Sequence, residues 1–305
     1  MEKRMRKTVK SRYGIGEWYG RGLEKISPAT RQEWALRELA DNGSVDTECP
    51  FRAGMKCNKQ GGVCSLRLYT HTDGNPVTGS GSPVATCPNR FLEDSLIYKW
   101  AGEIILKNTR PAVLAEIGFL KPLQPASAKK HGHDFVGKID NVLLLPTTEG
   151  AELKWCALEI QAVYFSGQEM RHEFELLAKH VDDGVPYPAA QRRPDWRSSG
   201  PKRLLPQLQT KVPTISRWGR KMAVVVDEPF FASLVGLHPV EALSNSEIVW
   251  LVVGYEATVS GWKLCRKKMV LTTLESSVKA LTGGTPLSKE DFEKLLTAQK
   301  PAFTL

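Results

Sequence analysis

Apolar positions in this chain fall either into short continuous runs or into helical spacing, and the two kinds alternate along its length. Residues 142–145 and 155–165 are of the first kind and read as two strands that can form a hairpin. Side chains alternate along a strand, so Leu158 and Ile160 are expected in the core while Glu159 and Gln161 share the other face. Further strands are predicted over residues 112–118, 222–226, 248–255 and 262–272. Helical spacing marks residues 28–40, with Ser27 as cap and Pro28 at the first position, and Trp34, Leu36 and Leu39 as apolar members. It recurs over residues 91–106, 168–180, a basic proline-interrupted stretch 204–221, and 288–299, where Ser288 and Asp291 have capping spacing. Residues 70–86 and 182–203 are rich in turn-forming residues and read as loops. Helices flanking a mixed central sheet give an α/β (α+β) fold, with an N-terminal region over 1–90 and a main domain over 91–305.

Charge adds a partner to this picture. The chain carries a formal charge of +9 over 305 residues. Residues 192–221 hold nine bases against one acid, and the first twelve residues hold six against one, leaving the remainder net acidic by four. Such segregation favours a polyanion as partner, with a solvated face and a loose basic tail as the bland alternative. Arg192, Arg193, Arg197, Lys202 and Arg203 are the candidate DNA contacts. No apolar run approaches a membrane span, and the basic N-terminus leads into no apolar signal core, so a cytoplasmic protein without a membrane partner is expected. Gly14-Ile15-Gly16 lacks the third glycine of a phosphate-binding loop, which argues against ATP-driven chemistry.

Cys49, Cys57, Cys64 and Cys87 form a cluster in sequence, while Cys156 and Cys265 lie alone in apolar runs. In a cytosolic chain clustered thiols argue for metal before disulfide. Prolines after Cys49 and Cys87 and the Gly61-Gly62 pair before Cys64 suit tight turns around a tetrahedral ion; buried free thiols are the alternative.

The predicted hairpin also carries chemistry. It sets Asp140 beside Glu159, and phosphodiester hydrolysis needs hard cations held by carboxylates to neutralise the transition state and activate water. Gln161, two residues along the same face, could orient that water. A surface hairpin with one solvated polar face would show the same alternation.

Taken together, Cys49-Pro50-Phe51, Gly62-Val63-Cys64, Cys87-Pro88-Asn89-Arg90 and Leu158-Glu159-Ile160-Gln161 leading to Phe165-Ser166-Gly167 resemble the NotI family of type II restriction endonucleases. The stretch Ile15-Gly16-Glu17-Trp18-Tyr19-Gly20 adds to the likeness, which runs from about residue 15 to 225. The resemblance implies a PD-(D/E)xK nuclease that cuts double-stranded DNA at a GC-rich palindrome as a homodimer with magnesium, with a DNA methyltransferase as genetic partner. It implies Asp140 and Glu159 as magnesium ligands and places Gln161 where most relatives on this fold carry lysine. Glu116 is the candidate for a further upstream acid, and Asp134 the second. It also implies iron rather than zinc in the four-cysteine site, although four thiolates suit either. A DNA-binding module with an inert acidic hairpin, or a structure-specific repair nuclease, stays open beside site-specific cleavage.

Overall fold

The computed structural model describes residues 9–40, 47–72, 75–121, 135, 137–146, 150–284 and 287–299. Near the N-terminus, β1 (Val9–Trp18), β2 (Arg21–Gly22), β3 (Val63–Thr72) and β4 (Thr78–Ala85) form an antiparallel sheet in the order β2-β1-β3-β4. Helix α1 (Pro28–Ala40) follows β2, and Ala35 is buried in a small core with Ile15, Trp18, Leu23 and Leu66. The main sheet draws on β5 (Ala112–Leu120), β6 (Gly137–Leu144) and β7 (Trp155–Ile160), which follow α2 (Leu96–Ala101). Next come a two-stranded ribbon of β8 (Phe165–Gly167) and β9 (Arg192–Pro194), helix α3 (Arg171–Leu177) between them, and helices α4 (Trp196–Ser199) and α5 (Leu205–Arg217). The chain continues through β10 (Met222–Asp227), α6 (Glu228–Ala232), β11 (Ile248–Ala257), β12 (Trp262–Thr272), α7 (Leu274–Thr282) and α8 (Lys289–Ala298).

The central sheet has the order β12-β11-β10-β7-β6-β5, with β10 parallel to both neighbours and the other pairs antiparallel. Its alternation can be read from β10, a strand buried on both faces. Met222, Val224 and Val226 face a core shared with Leu205, Leu208, Val212 and Ile215 of α5, while Ala223 and Val225 face a second core with Ile97, Trp100 and Ala101 of α2. This is the mixed sheet between helices expected from the sequence.

Three expectations are corrected. Residues 70–86 are not a loop, because β4 pairs with β3 as an edge strand through Thr70–Thr78, Tyr69–Gly79 and Leu68–Ser80. The glycine there has a packing reason: a side chain at Gly79 would collide with the Arg67–Glu24 ion pair. The basic N-terminus is strand from Val9 onward, and Arg12 is tied down by the carbonyls of Pro188 at 3.1 Å and Ala189 at 3.0 Å. Residues 91–106 are not one helix. A 3-10 segment (Pro88–Ser95) breaks where Asp94 and Ser95 adopt positive φ, and α2 then widens into a π turn (Gly102–Leu106).

Candidate active site

The hairpin of β6 and β7 pairs Asn141 with Leu158, so the next residues outward, Asp140 and Glu159, stand opposite each other. Each carboxylate holds the other's strand: the Asp140 amide donates to Glu159 Oε1 at 3.3 Å, and the Ile160 amide donates to Asp140 Oδ2 at 3.0 Å. Leu158 and Ile160 pack into the α2-side core, as their alternation requires. Glu159 shares the other face with Ala157, under α5. There the Lys211 ammonium reaches Glu159 Oε1 at 2.7 Å and also bonds Gln207 one turn earlier.

Burial dominates the electrostatics. It pushes Glu159 up to about 7, with Asp140 adding to the rise and Lys211 opposing it. Burial also raises Asp140, against the Ile160 hydrogen bond and Lys211. Asp140 disfavours the charge of Glu159, and a cation beside the two carboxylates would relieve it. Hard oxygen donors of this kind suit magnesium, which binds proteins through one or two carboxylates and keeps its remaining ligands as water or substrate. Among the described residues no three His, Cys, Asp or Glu side chains are grouped to hold a metal, so the fit rests on the carboxylate pair.

Asp140 opens onto a cleft of about 530 Å³, with Glu159 behind it, and the lining also includes Arg52, Glu116, Gln161, Tyr164 and Arg203. Gln161 is buried and its Nε2 donates to the Ala162 carbonyl at 2.5 Å. Glu116 lies on β5, exposed, with φ at 52° and a 2.9 Å ion pair to Lys138 that holds its carboxyl below the usual range. Asp134 lies outside the described residues.

A protein-family model described as restriction endonuclease NotI matches residues 35–264. The chain belongs to this family. No curated protein matches the chain. As a NotI-family member it is a type II restriction endonuclease, a hydrolase that acts on double-stranded DNA. Among the described residues no helix is long and apolar enough to cross a membrane.

Sequence reasoning missed three residues in or behind this NotI-family cleft. Lys211 could have been found, because it is a lone charge on the apolar face made by Leu208, Val212 and Ile215. Arg52 enters the cleft from the turn between Cys49 and Cys57, a contact that no periodicity reveals. Tyr164 stacks beneath Arg203, whose guanidinium lies 3.6 Å from the ring centre.

The basic segment divides. Arg193, Arg197, Lys202 and Arg203 are exposed, and Arg203 lines the cleft. Arg192, by contrast, is buried and turns inward to Glu173 at 2.9 Å and to the carbonyls of Gln168 and Glu169 at 2.9 and 2.5 Å. Asp195 caps α4 through the Ser198 amide, and the Ser199 hydroxyl accepts from the Tyr164 amide, so the segment is fastened to the chain just before β8.

The tetrahedral cluster expected of Cys49, Cys57, Cys64 and Cys87 is not assembled, since no three of these thiols converge among the described residues. Two are turned to backbone carbonyls instead, Cys57 to Lys59 at 3.8 Å and Cys64 to Gly62 at 3.6 Å. All four are free thiols in one neighbourhood: burial raises Cys57 and Cys87, and Cys49 contributes to both shifts. The Cys87 amide donates to the Cys64 carbonyl at 3.2 Å. Cys156 packs in the core, as expected, and burial pushes its thiol up to about 12.

Proposed function

We propose that this NotI-family endonuclease cuts duplex DNA at a GC-rich palindrome, as a homodimer, in a magnesium-dependent reaction centred on Asp140 and Glu159. One observation carries the reading: a buried glutamate, Glu159, interlocks with a half-buried aspartate, Asp140, that lines an open cleft. Magnesium, when bound to them, would neutralise charge on the pentacoordinate phosphorus and favour ionisation of the attacking water. Hydrolysis forms one bond from a water oxygen to phosphorus and breaks one ester P–O bond. The water proton leaves to solvent, and the departing oxygen takes up a proton.

The chain's own groups orient these partners. Arg52 and the Tyr164-stacked Arg203 line the cleft where a phosphate must lie, and guanidinium groups suit phosphate oxygens. Gln161 lines the same cleft and offers its amide oxygen to the water. Glu116 is the third acid, on the strand facing the pair. Arg193, Arg197 and Lys202 extend the basic surface along the backbone of the duplex. Cys49, Cys57, Cys64 and Cys87, which do not converge among the described residues, would hold a structural iron or zinc ion only if Cys57 and Cys64 turned from their carbonyls, and would then fix the Arg52 turn. A methyltransferase that modifies the same site is the expected genetic partner.

The test is plasmid cleavage with and without magnesium by the parent, Asp140→Asn and Glu159→Gln, followed by sequencing of the product ends. Both variants should lose at least about 1,000-fold in rate and keep metal-free DNA binding, since the carboxylates act on the transition state. A rate within tenfold of the parent in either variant discards the assignment, and ends without a shared sequence discard site-specific cleavage.

A further inference from the structure

Asp140 and Glu159 each have one oxygen pinned and one left open. Asp140 Oδ2 accepts from the Ile160 amide at 3.0 Å, and among the described residues its Oδ1 accepts no protein hydrogen bond. Glu159 Oε1 accepts from Lys211 at 2.7 Å and from the Asp140 amide at 3.3 Å, and among the described residues its Oε2 accepts none. Only one of these pinning groups is a side chain delivered from another element. The Lys211 and Glu159 side chains are 4% and 3% exposed, so the ammonium is committed to this contact and not to solvent or to the duplex.

A buried cation on an apolar helix face needs an explanation. Leu208, Val212 and Ile215 fill the rest of that face, and a leucine at 211 would pack there without the desolvation that a buried ion pair incurs. The pair is also lightly satisfied for a buried one, with Gln207 as the only other hydrogen-bond partner of Lys211 among the described residues. Gln207 itself lines the cleft, so Lys211 sits one helical turn below the cleft floor.

We propose that Lys211 is a positioning residue of the active site: from α5 it pins Glu159 Oε1, so that Glu159 Oε2 faces the open oxygen of Asp140 as a preformed two-oxygen seat for the divalent ion. This rests on the reading of Asp140 and Glu159 as the metal carboxylates. A carboxylate on a flexible side chain would otherwise have to be ordered by the metal itself, at the expense of its affinity. The contribution of Lys211 therefore lies in metal affinity, with the chemistry of the loaded site left to other groups.

The experiment compares the parent with Lys211→Met, Lys211→Gln and Lys211→Arg. Calcium binding is measured by calorimetry, single-turnover cleavage is measured against magnesium concentration, and folding is checked by thermal unfolding. Lys211→Met should bind calcium at least tenfold more weakly and need at least tenfold more magnesium for half-maximal rate. Its rate at saturating magnesium should stay within about tenfold of the parent, and metal-free DNA affinity should not change. Lys211→Arg, which can pin the same oxygen, should recover most of the metal affinity. If Lys211→Met does not fold, the same comparison is made between Lys211→Gln and Lys211→Arg. Calcium affinity and magnesium requirement within twofold of the parent in the neutral variant overturn the proposal. A hundredfold loss of saturated rate with unchanged metal affinity overturns it as well, since Lys211 would then act on the reacting atoms. Asp140→Asn and Glu159→Gln separate this from the reading beneath it: if they leave cleavage intact, the carboxylate assignment has failed whatever Lys211 does.

Discussion

Two buried ion pairs of this protein use the same chemistry for opposite ends. Arg90 meets Glu17 with its Nε at 3.0 and 2.8 Å, Glu93 with Nη1 at 2.8 Å and the Trp262 carbonyl with Nη2 at 2.9 Å. Ser65 donates to Glu17 at 2.8 Å, and the rings of Phe51 and Tyr255 lie on the guanidinium at 4.6 and 5.0 Å. That pair joins the N-terminal sheet to β12 and leaves little polar capacity unused. Lys211 and Glu159 are as deeply buried but are joined by one contact, with a second acid, Asp140, alongside and a cleft beyond. A charge pair with its capacity filled is architecture, whereas an underfilled pair beside a like charge is poised to take a ligand.

The comparison breaks if both pairs respond alike. Arg90→Met orphans a buried carboxylate and should destabilise the fold by about 3–5 kcal/mol, while cleavage per folded molecule stays near the parent. Glu159→Gln should abolish cleavage with a smaller loss of stability, because its amide oxygen can still accept from the buried Lys211. Denaturant unfolding and single-turnover rates on both variants check this, and a parallel loss of stability and rate in both would erase the distinction.

The pH dependence of stability sharpens it. Burial pushes Asp227 and Glu159 up to about 7, far above unfolded carboxylates. A folded state that binds the extra proton gains stability at low pH, so each group favours folding below about 4 and loses that contribution as pH rises to about 7. The loss is on the order of a few kcal/mol for each. Asp227 caps α6 through the Phe230 amide at 3.0 Å and accepts the Ala85 amide at 2.8 Å, a structural role. Unfolding of metal-free protein at pH 5 and pH 8 should therefore show a decline that Asp227→Asn and Glu159→Gln each flatten. Added magnesium should offset the decline only where Glu159 is intact, because the metal selects the ionised form.

A smaller effect is expected at the cysteines. If Cys57 ligates a structural ion, Cys57→Ser should cost at least about 2 kcal/mol and release iron or zinc; as a partly exposed free thiol it should cost close to nothing. Elemental analysis of parent and variant, paired with thermal unfolding, decides between them.

How much of this was legible follows from the range of the interactions. Leu158-Glu159-Ile160-Gln161 declares its strand and its faces locally, because a period of two needs only neighbours. The valines of β10 declare burial on both faces in the same way. Lys211 is half legible: its helix face shows that it is buried, but its partner Glu159 is 52 residues away. The pairing of β4 with β3 was hidden because Gly, Ser and Thr suit a loop as well as an edge strand, and only β3 decides. Arg192 escapes the charge count for a related reason. Counting bases cannot tell a guanidinium facing DNA from one facing Glu173.

That division of the basic segment gives the smallest expected effect. Each phosphate no longer neutralised should lower the slope of log affinity against log salt by about 0.9, so Lys202→Ala/Arg203→Ala should flatten it by up to about 1.8. Arg192→Ala should leave the slope unchanged and instead lower thermal stability, because Glu173 would remain buried without its cation. Arg203 sits over Tyr164 at the cleft mouth, so its single variant should also slow cleavage at saturating DNA, whereas Lys202→Ala should change affinity alone. Affinities measured at several salt concentrations without metal separate these outcomes. A flattened slope for Arg192→Ala with an unaltered one for the double variant would reverse the assignment and put the duplex on the α3 side of the ribbon.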